Sequence, residues 1–138
     1  MKKRFISEFC PRFSDFDMQG ILNSRIYLDL LAEARLDQMV RCYGRPLDYY
    51  AKKNASWVLS SLTIDFRRPV YYGNKIRVET EVVAMEGAVA TVDFAIGNDN
   101  ISDRYASGKA NYHLVDLATK RPITIGNEDI EIFLSKPS

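Results

Sequence analysis

Between Ser24 and Cys42 the chain carries neither glycine nor proline and is rich in Leu, Ala, Arg and Glu. This predicts a helix with Asn23 or Ser24 as N-cap and Gly44 and Pro46 as its stop. Ile26, Tyr27, Leu30, Leu31 and Ala34 fall on one flank, and Leu28, Ala32, Leu36 and Met39 on another. Arg25, Asp29, Glu33, Asp37 and Arg41 recur every four positions and form a single charged ridge. A helix apolar over most of its circumference has to be covered, and the rest of the chain must supply the cover.

That remainder reads mostly as strands. Residues 4–13 predict a first strand, with Phe5, Ile6, Phe9 and Phe13 among polar residues and Pro11 confining it to an edge or bulge. After the helix, a short amphipathic piece at 47–53 leads into a long strand at 55–66. Residues 75–85 alternate Ile76, Val78, Thr80 and Val82 against Lys75, Arg77, Glu79 and Glu81, the pattern of a half-exposed strand. Glu86-Gly87 turns into 88–96, residues 97–100 turn again, and 104–116 is the last long strand. Residues 127–134 read as a short strand or a helical turn. The expected fold is α+β: an antiparallel meander with one buried helix.

At 138 residues the chain reads as one domain, 1–138, with 46% hydrophobic residues, too many for a disordered tail. A net charge of +1 without runs of one sign argues against nucleic acid as a partner. Met1-Lys2-Lys3-Arg4 begins like a signal peptide, but Ser7, Glu8 and Pro11 interrupt the apolar stretch that should follow. No segment has the length of a membrane span, and a cytoplasmic location is expected. Cys10 and Cys42 make no disulfide framework or metal pair, and are expected as small buried hydrophobes. His113 is the sole histidine, which argues against the paired-histidine zinc motif; a Ser-His-Asp site would also need a G-x-S-x-G elbow, which is absent. Acid–base work would then fall to a carboxylate.

A sheet that must cover a helix curls around it, which is the hotdog architecture. The residues of one segment point the same way. Arg12-Phe13-Ser14-Asp15-Phe16-Asp17-Met18-Gln19-Gly20, then Ile21-Leu22-Asn23 and Tyr27-Leu28, running into Glu33-Ala34-Arg35, resembles the start of the hotdog thioesterases of the 4-hydroxybenzoyl-CoA thioesterase family. Ile64 to Pro69, Gly73-Asn74 and Tyr112 to Asp116 resemble later parts of the same family. Two positions depart from it: Ile21 stands where many relatives have His after the glycine, and Asn74 replaces the usual Asp.

The resemblance implies an acyl-CoA thioesterase without a metal or redox cofactor, built as a homodimer or homotetramer with sites between subunits. It assigns Asp17 as general base or nucleophile toward the thioester carbonyl. Chemistry agrees, because a thioester is already activated and a positioned carboxylate suffices. Backbone N–H groups at the helix N-terminus would polarise the carbonyl, and Gly20 would let the turn approach it. Asn23 and Tyr27 are implied near the pocket, and Arg67 and Arg68 near the coenzyme A phosphates. Each has a plainer role as well: Asp15 and Asp17 as turn formers, Asn23 as a cap, Tyr27 as core, and the arginines as solvated strand-end charges. Asp15 is read as structural. A protein that binds acyl thioesters without cleaving them would use the same pocket. A hydratase would need a His beside its carboxylate, and the only His comes late. Trp57, Leu59 and the apolar helix flank suggest an apolar pocket, with the acyl group, and CoA against acyl carrier protein, left open.

Overall fold

In the computed structural model, which describes residues 2–98 and 104–136, β1 (Arg4–Phe9) leads through a short 3-10 turn into α1 (Ser24–Arg41) and α2 (Leu47–Ala51). Four strands follow, β2 (Ala55–Phe66), β3 (Ile76–Glu86), β4 (Val89–Gly97) and β5 (Arg104–Asp116), and then α3 (Asn127–Phe133). They make one antiparallel sheet in the order β1-β3-β4-β5-β2. Only β3, β4 and β5 form a meander. The strand β2 leaves chain order and pairs with β5 at the far edge, from Ala55↔Asp116 to Phe66↔Ala106. The turn expected at 97–100 lies partly outside the described residues.

The apolar positions that alternate along the strands meet one flank of α1. Ile26, Tyr27, Leu30, Leu31 and Ala34 are buried against Val78, Phe94, Ile96, Ala106 and Ala110. A second cluster joins Met39 and Tyr43 to Val82, Val92, Leu114 and Phe133 of α3. Each fully buried aliphatic or aromatic side chain contributes about 1.5–3 kcal/mol relative to exposure.

Buried hydrogen bonds also hold α1 to the sheet. Gln38 has no exposed surface; its amide donates to Ser7 Oγ (3.1 Å) and to the Phe5 carbonyl (3.3 Å). The Thr80 hydroxyl donates to the Gln38 Oε1 and accepts from Arg35 Nη1 at 2.9 Å. At the surface, Asp37 accepts from Ser7 Oγ and Arg41, and these bonds hold its carboxyl below the usual range.

Four expectations are corrected. β1 stops at Phe9, opposite the first residue of β3, and Pro11 has no N–H to extend the pairing; Phe13 therefore falls in the 3-10 turn, 78% exposed. The second flank of α1 is not covered, since Leu28 and Leu36 are exposed and only Met39 is buried. On β3, Glu79 and Glu81 are buried rather than exposed, because β1 lies alongside and Arg4 pairs with both carboxylates. Cys10 is exposed and Cys42 half-buried. The ambiguous stretch at the C-terminal end is helical, as α3, with Asp129 and Phe133 turned inward.

At Gly108 an added Cβ would lie 1.9 Å from the Thr63 carbonyl oxygen of the neighbouring strand, a backbone atom that cannot swing away. Gly108→Ala is expected to cost about 1–3 kcal/mol through overpacking. Gln38→Leu, which takes away the acceptor of the Thr80 hydroxyl proton, should cost about as much, roughly 1–3 kcal/mol. Urea denaturation midpoints check both; an alanine variant as stable as the wild type would mean that β5 and β2 do not approach this closely.

Candidate functional site

The Asp17 turn is built by short-range bonds. The Asp17 N–H donates to the Ile21 carbonyl (2.8 Å), and the Gly20 N–H donates to the Asp17 carbonyl (3.0 Å). Asp17 Oδ1 accepts from the N–H groups of Gln19 (2.9 Å) and Ile21 (3.0 Å), the local bonding that Asp favours in turns. Gly20 sits at φ +76°, a left-handed conformation that side chains disfavour. Asp17 is exposed, and its Oδ2 accepts no hydrogen bond from the described residues. One oxygen therefore orients the carboxylate while the other faces outward.

Asp15 is buried and takes the N–H of Arg12 (2.8 Å), and its carbonyl accepts from both the N–H and the side-chain amide of Asn23, each at 3.0 Å. Asn23 occupies the N-cap of α1, but its side chain is turned back to Asp15 and caps no helical N–H. The first-turn N–H groups are left without a side-chain cap. Tyr27, one turn further, is buried with its ring edge-on to Phe66 at 5.0 Å, and burial raises its hydroxyl pKa. Arg67 and Arg68 follow Phe66; both backbone N–H groups donate to the Tyr105 carbonyl, and the Arg68 guanidinium lies 4.9 Å from the Tyr105 ring centre. The chain beyond them bonds to residues 20–22, through Leu22 N–H to Val70 O and Tyr72 N–H to Gly20 O. The Asp17 turn, the start of α1 and the end of β2 thus share one end of the molecule. Phe13, Phe16 and Tyr72 stack edge-on there, and of the three strand periodicity had put Phe13 into β1.

A second feature lies further along α1. A cavity of about 280 Å³ opens beside the flank that the sheet leaves uncovered, and Leu28, Ala32, Leu36 and Met39 form its helical wall. Trp57 and Leu59 of β2 line it as expected, with Tyr112 and Phe133 behind. Among the described residues Arg35 is its only charged lining residue. Tyr43, Tyr50 and Tyr112 surround this region, and burial pushes each hydroxyl pKa up. Tyr50 donates to Asp129 Oδ2 (3.1 Å), which Arg45 in turn holds at 3.2 Å through the other oxygen. Asp17 is not part of the lining. His113 contacts Ser60 Oγ at 2.7 Å and does not line the cavity either. Among the described residues no three His, Cys, Asp or Glu side chains are grouped to hold a metal ion.

Residues 11–131 match the family model described as the thioesterase-like superfamily. No curated protein matches the chain in sequence. Solved structures are similar in fold: a 1,4-dihydroxy-2-naphthoyl-CoA thioesterase from Synechocystis superposes with a TM-score of 0.83 at 16% identity, covering 94% of this chain and 96% of that one. A DHNA-CoA thioesterase from Staphylococcus aureus gives 0.80 at 20% identity over 88% and 80% of the two chains. An acyl-ACP thioesterase from Bacteroides thetaiotaomicron gives 0.83 at 19%, over 97% of this chain and 54% of its own. At these identities the likeness shows the shared fold.

The buried and half-buried tyrosines make alkaline stability a test of the packing around α1. Tyr27, Tyr43, Tyr50 and Tyr112 ionise at higher pH in the fold than in the open chain. Their contribution is complete below about pH 10 and is lost as the pH rises past it, because the unfolded state gives up these protons first. Stability to urea should fall above that pH, with phenolate absorbance from these four appearing as the fold is lost. Ionisation of all eight tyrosines near pH 10 with the fold intact would contradict their burial.

Proposed function

The chain belongs to the thioesterase-like superfamily, and on that premise we propose that it hydrolyses an acyl-CoA thioester to a carboxylic acid and free coenzyme A. The observation that carries the reading is Asp17: an exposed carboxylate, oriented through Oδ1 and open at Oδ2, on the turn that feeds an uncapped helix N-terminus. Asp17 acts as general base on a water that attacks the carbonyl carbon, or attacks it itself to form an anhydride that water then opens; in either route the thiolate of coenzyme A leaves. The first-turn N–H groups of α1 stabilise the developing oxyanion. Gly20 keeps the turn bare of side chain, Asn23 and Tyr27 shape the approach, and Arg67 and Arg68 receive the phosphates of coenzyme A. The mechanism calls for no metal or redox cofactor. Such thioesters are made inside cells, which puts the reaction in the cytoplasm.

The fold is read as a hotdog, with the sheet curled about α1 as its central helix. The acyl group enters the apolar cavity along the free flank of that helix. Because Asp17 does not line the cavity of its own chain, a complete site needs the turn of one copy beside the cavity of another. The exposed Leu28, Leu36 and Val40 of α1 and Val58, Leu59 and Phe66 of β2 are apolar surface that a second copy would cover, so the working form is a homodimer or a pair of dimers.

The bonds from Gln19 and Ile21 to Asp17 also suit a turn former, and they favour the second reading, a protein that binds acyl thioesters without cleaving them. Thiol release from a panel of acyl-CoAs separates the two. Asp17→Asn keeps the turn acceptor and removes the base, and should lower kcat by about 10²–10⁴ with an unchanged melting temperature. Undiminished turnover in this variant would end Asp17's role, and binding of acyl-CoA without any turnover would select the second reading.

A further inference from the structure

We infer that Arg35 reads the far end of the acyl group and that the preferred substrate carries a carboxylate there; this rests on the acyl-thioester reading of the cavity. The cavity has a rim and a floor. Leu28, Leu36, Leu47 and Leu59 are exposed and form the rim, whereas Leu31, Arg35, Val82, Val92 and Phe133 are buried. A chain entering past the rim meets hydrocarbon on its way and, among the buried lining residues, the charged Arg35.

That guanidinium lacks the partner that the protein gives its other arginines in partly buried places. Arg4 pairs with Glu79 and Glu81, Arg45 with Glu128 and Asp129, and Arg77 with Glu8. Arg35, only 9% exposed, donates one hydrogen bond, to the neutral hydroxyl of Thr80, and stands 5.6 Å from the centre of the Tyr43 ring. No carboxylate among the described residues pairs with it. A buried cation without a counter-charge is costly to the fold. Its cost is offset when a ligand brings the charge, and a mainly apolar pocket with a few placed polar groups, here Arg35 beside Trp57 and Tyr112, is the usual form of a selective site.

The shape of the group narrows the ligand. A planar guanidinium fork matches the two oxygens of a carboxylate in a bidentate pair, which a hydroxyl or keto oxygen cannot supply. The substrate class is therefore the monothioester of a short dicarboxylic acid, its spacer short enough for a cavity of about 280 Å³. Trp57, the chain's only tryptophan, lies on the cavity wall and reports on what enters.

The test compares kcat/KM for glutaryl-CoA against pentanoyl-CoA and for adipyl-CoA against hexanoyl-CoA. Wild type should favour the carboxylated member of each pair by about tenfold or more, and Arg35→Met should lower that ratio by about 10²-fold. Arg35→Lys, which keeps the charge and loses the fork, should fall between. The inference is overturned if wild type favours the neutral member, or if a folded Arg35→Met leaves the ratio where it was. Should the methionine variant not fold, the wild-type ratio and the lysine variant decide. Should no thioester release thiol, the hydrolytic reading fails by itself, and Trp57 fluorescence titrations with adipyl-CoA and hexanoyl-CoA decide this one: tighter adipyl-CoA binding that Arg35→Lys weakens supports it, and equal binding overturns it.

Discussion

The rest of the structure depends on the buried hydrogen bonds that run from α1 through Thr80 into β3. Gln38 and Arg35 both engage the Thr80 hydroxyl, and Gln38 reaches β1 as well, so one helix side is tied to two strands at once. Such bonds add little net stability each, about 1 kcal/mol, but leaving any of them unmade is expensive, and so they select one rotational setting of the helix. With that setting chosen, Ile26, Leu30, Leu31 and Ala34 go into the sheet. Leu28, Ala32 and Leu36 are carried to the other side, where a cavity replaces packed side chains.

This division places the Asp17 turn and the cavity at different stations along one helix. The turn before its first residue holds an oriented carboxylate among short-range bonds that need little from the remainder of the fold. The middle of the helix forms a wall whose other sides come from four strands and two helices distant in sequence. Local geometry can therefore be kept at Asp17 while the wall is altered.

Elements governed by local pattern were legible in the sequence. The bounds of α1, β2 and β5 follow from runs without breakers and from alternating apolar residues, and the structure places them within a residue of expectation. What depends on neighbours was not legible. Nothing in β3 itself says that Arg4 will lie over Glu79 and Glu81, and the pairing of β2 with β5 joins segments about fifty residues apart. The turn of the candidate site was visible because its motif is contiguous, and Trp57 and Leu59 because a strand alternates. Arg35 was passed over within a motif, although a signal existed. It stands off the four-residue ridge of charges, on the flank with Leu31 and Ala34, where an arginine has to be explained.

The placement of β2 has a further consequence. Its twelve residues form one border of the sheet, with Val58, Leu59 and Phe66 outward or at the surface and neither proline nor lysine along its length. At the opposite border the carbonyls of Phe5 and Ile6 on β1 take bonds from Gln38 and Arg41. A long border strand without such bonds, broken only by the irregularity between Leu59 and Ser61, is a template for a strand that meets it. A second copy and an unrelated strand would then compete for the same backbone groups, and the solubility of the chain would depend on which of them reaches this border first.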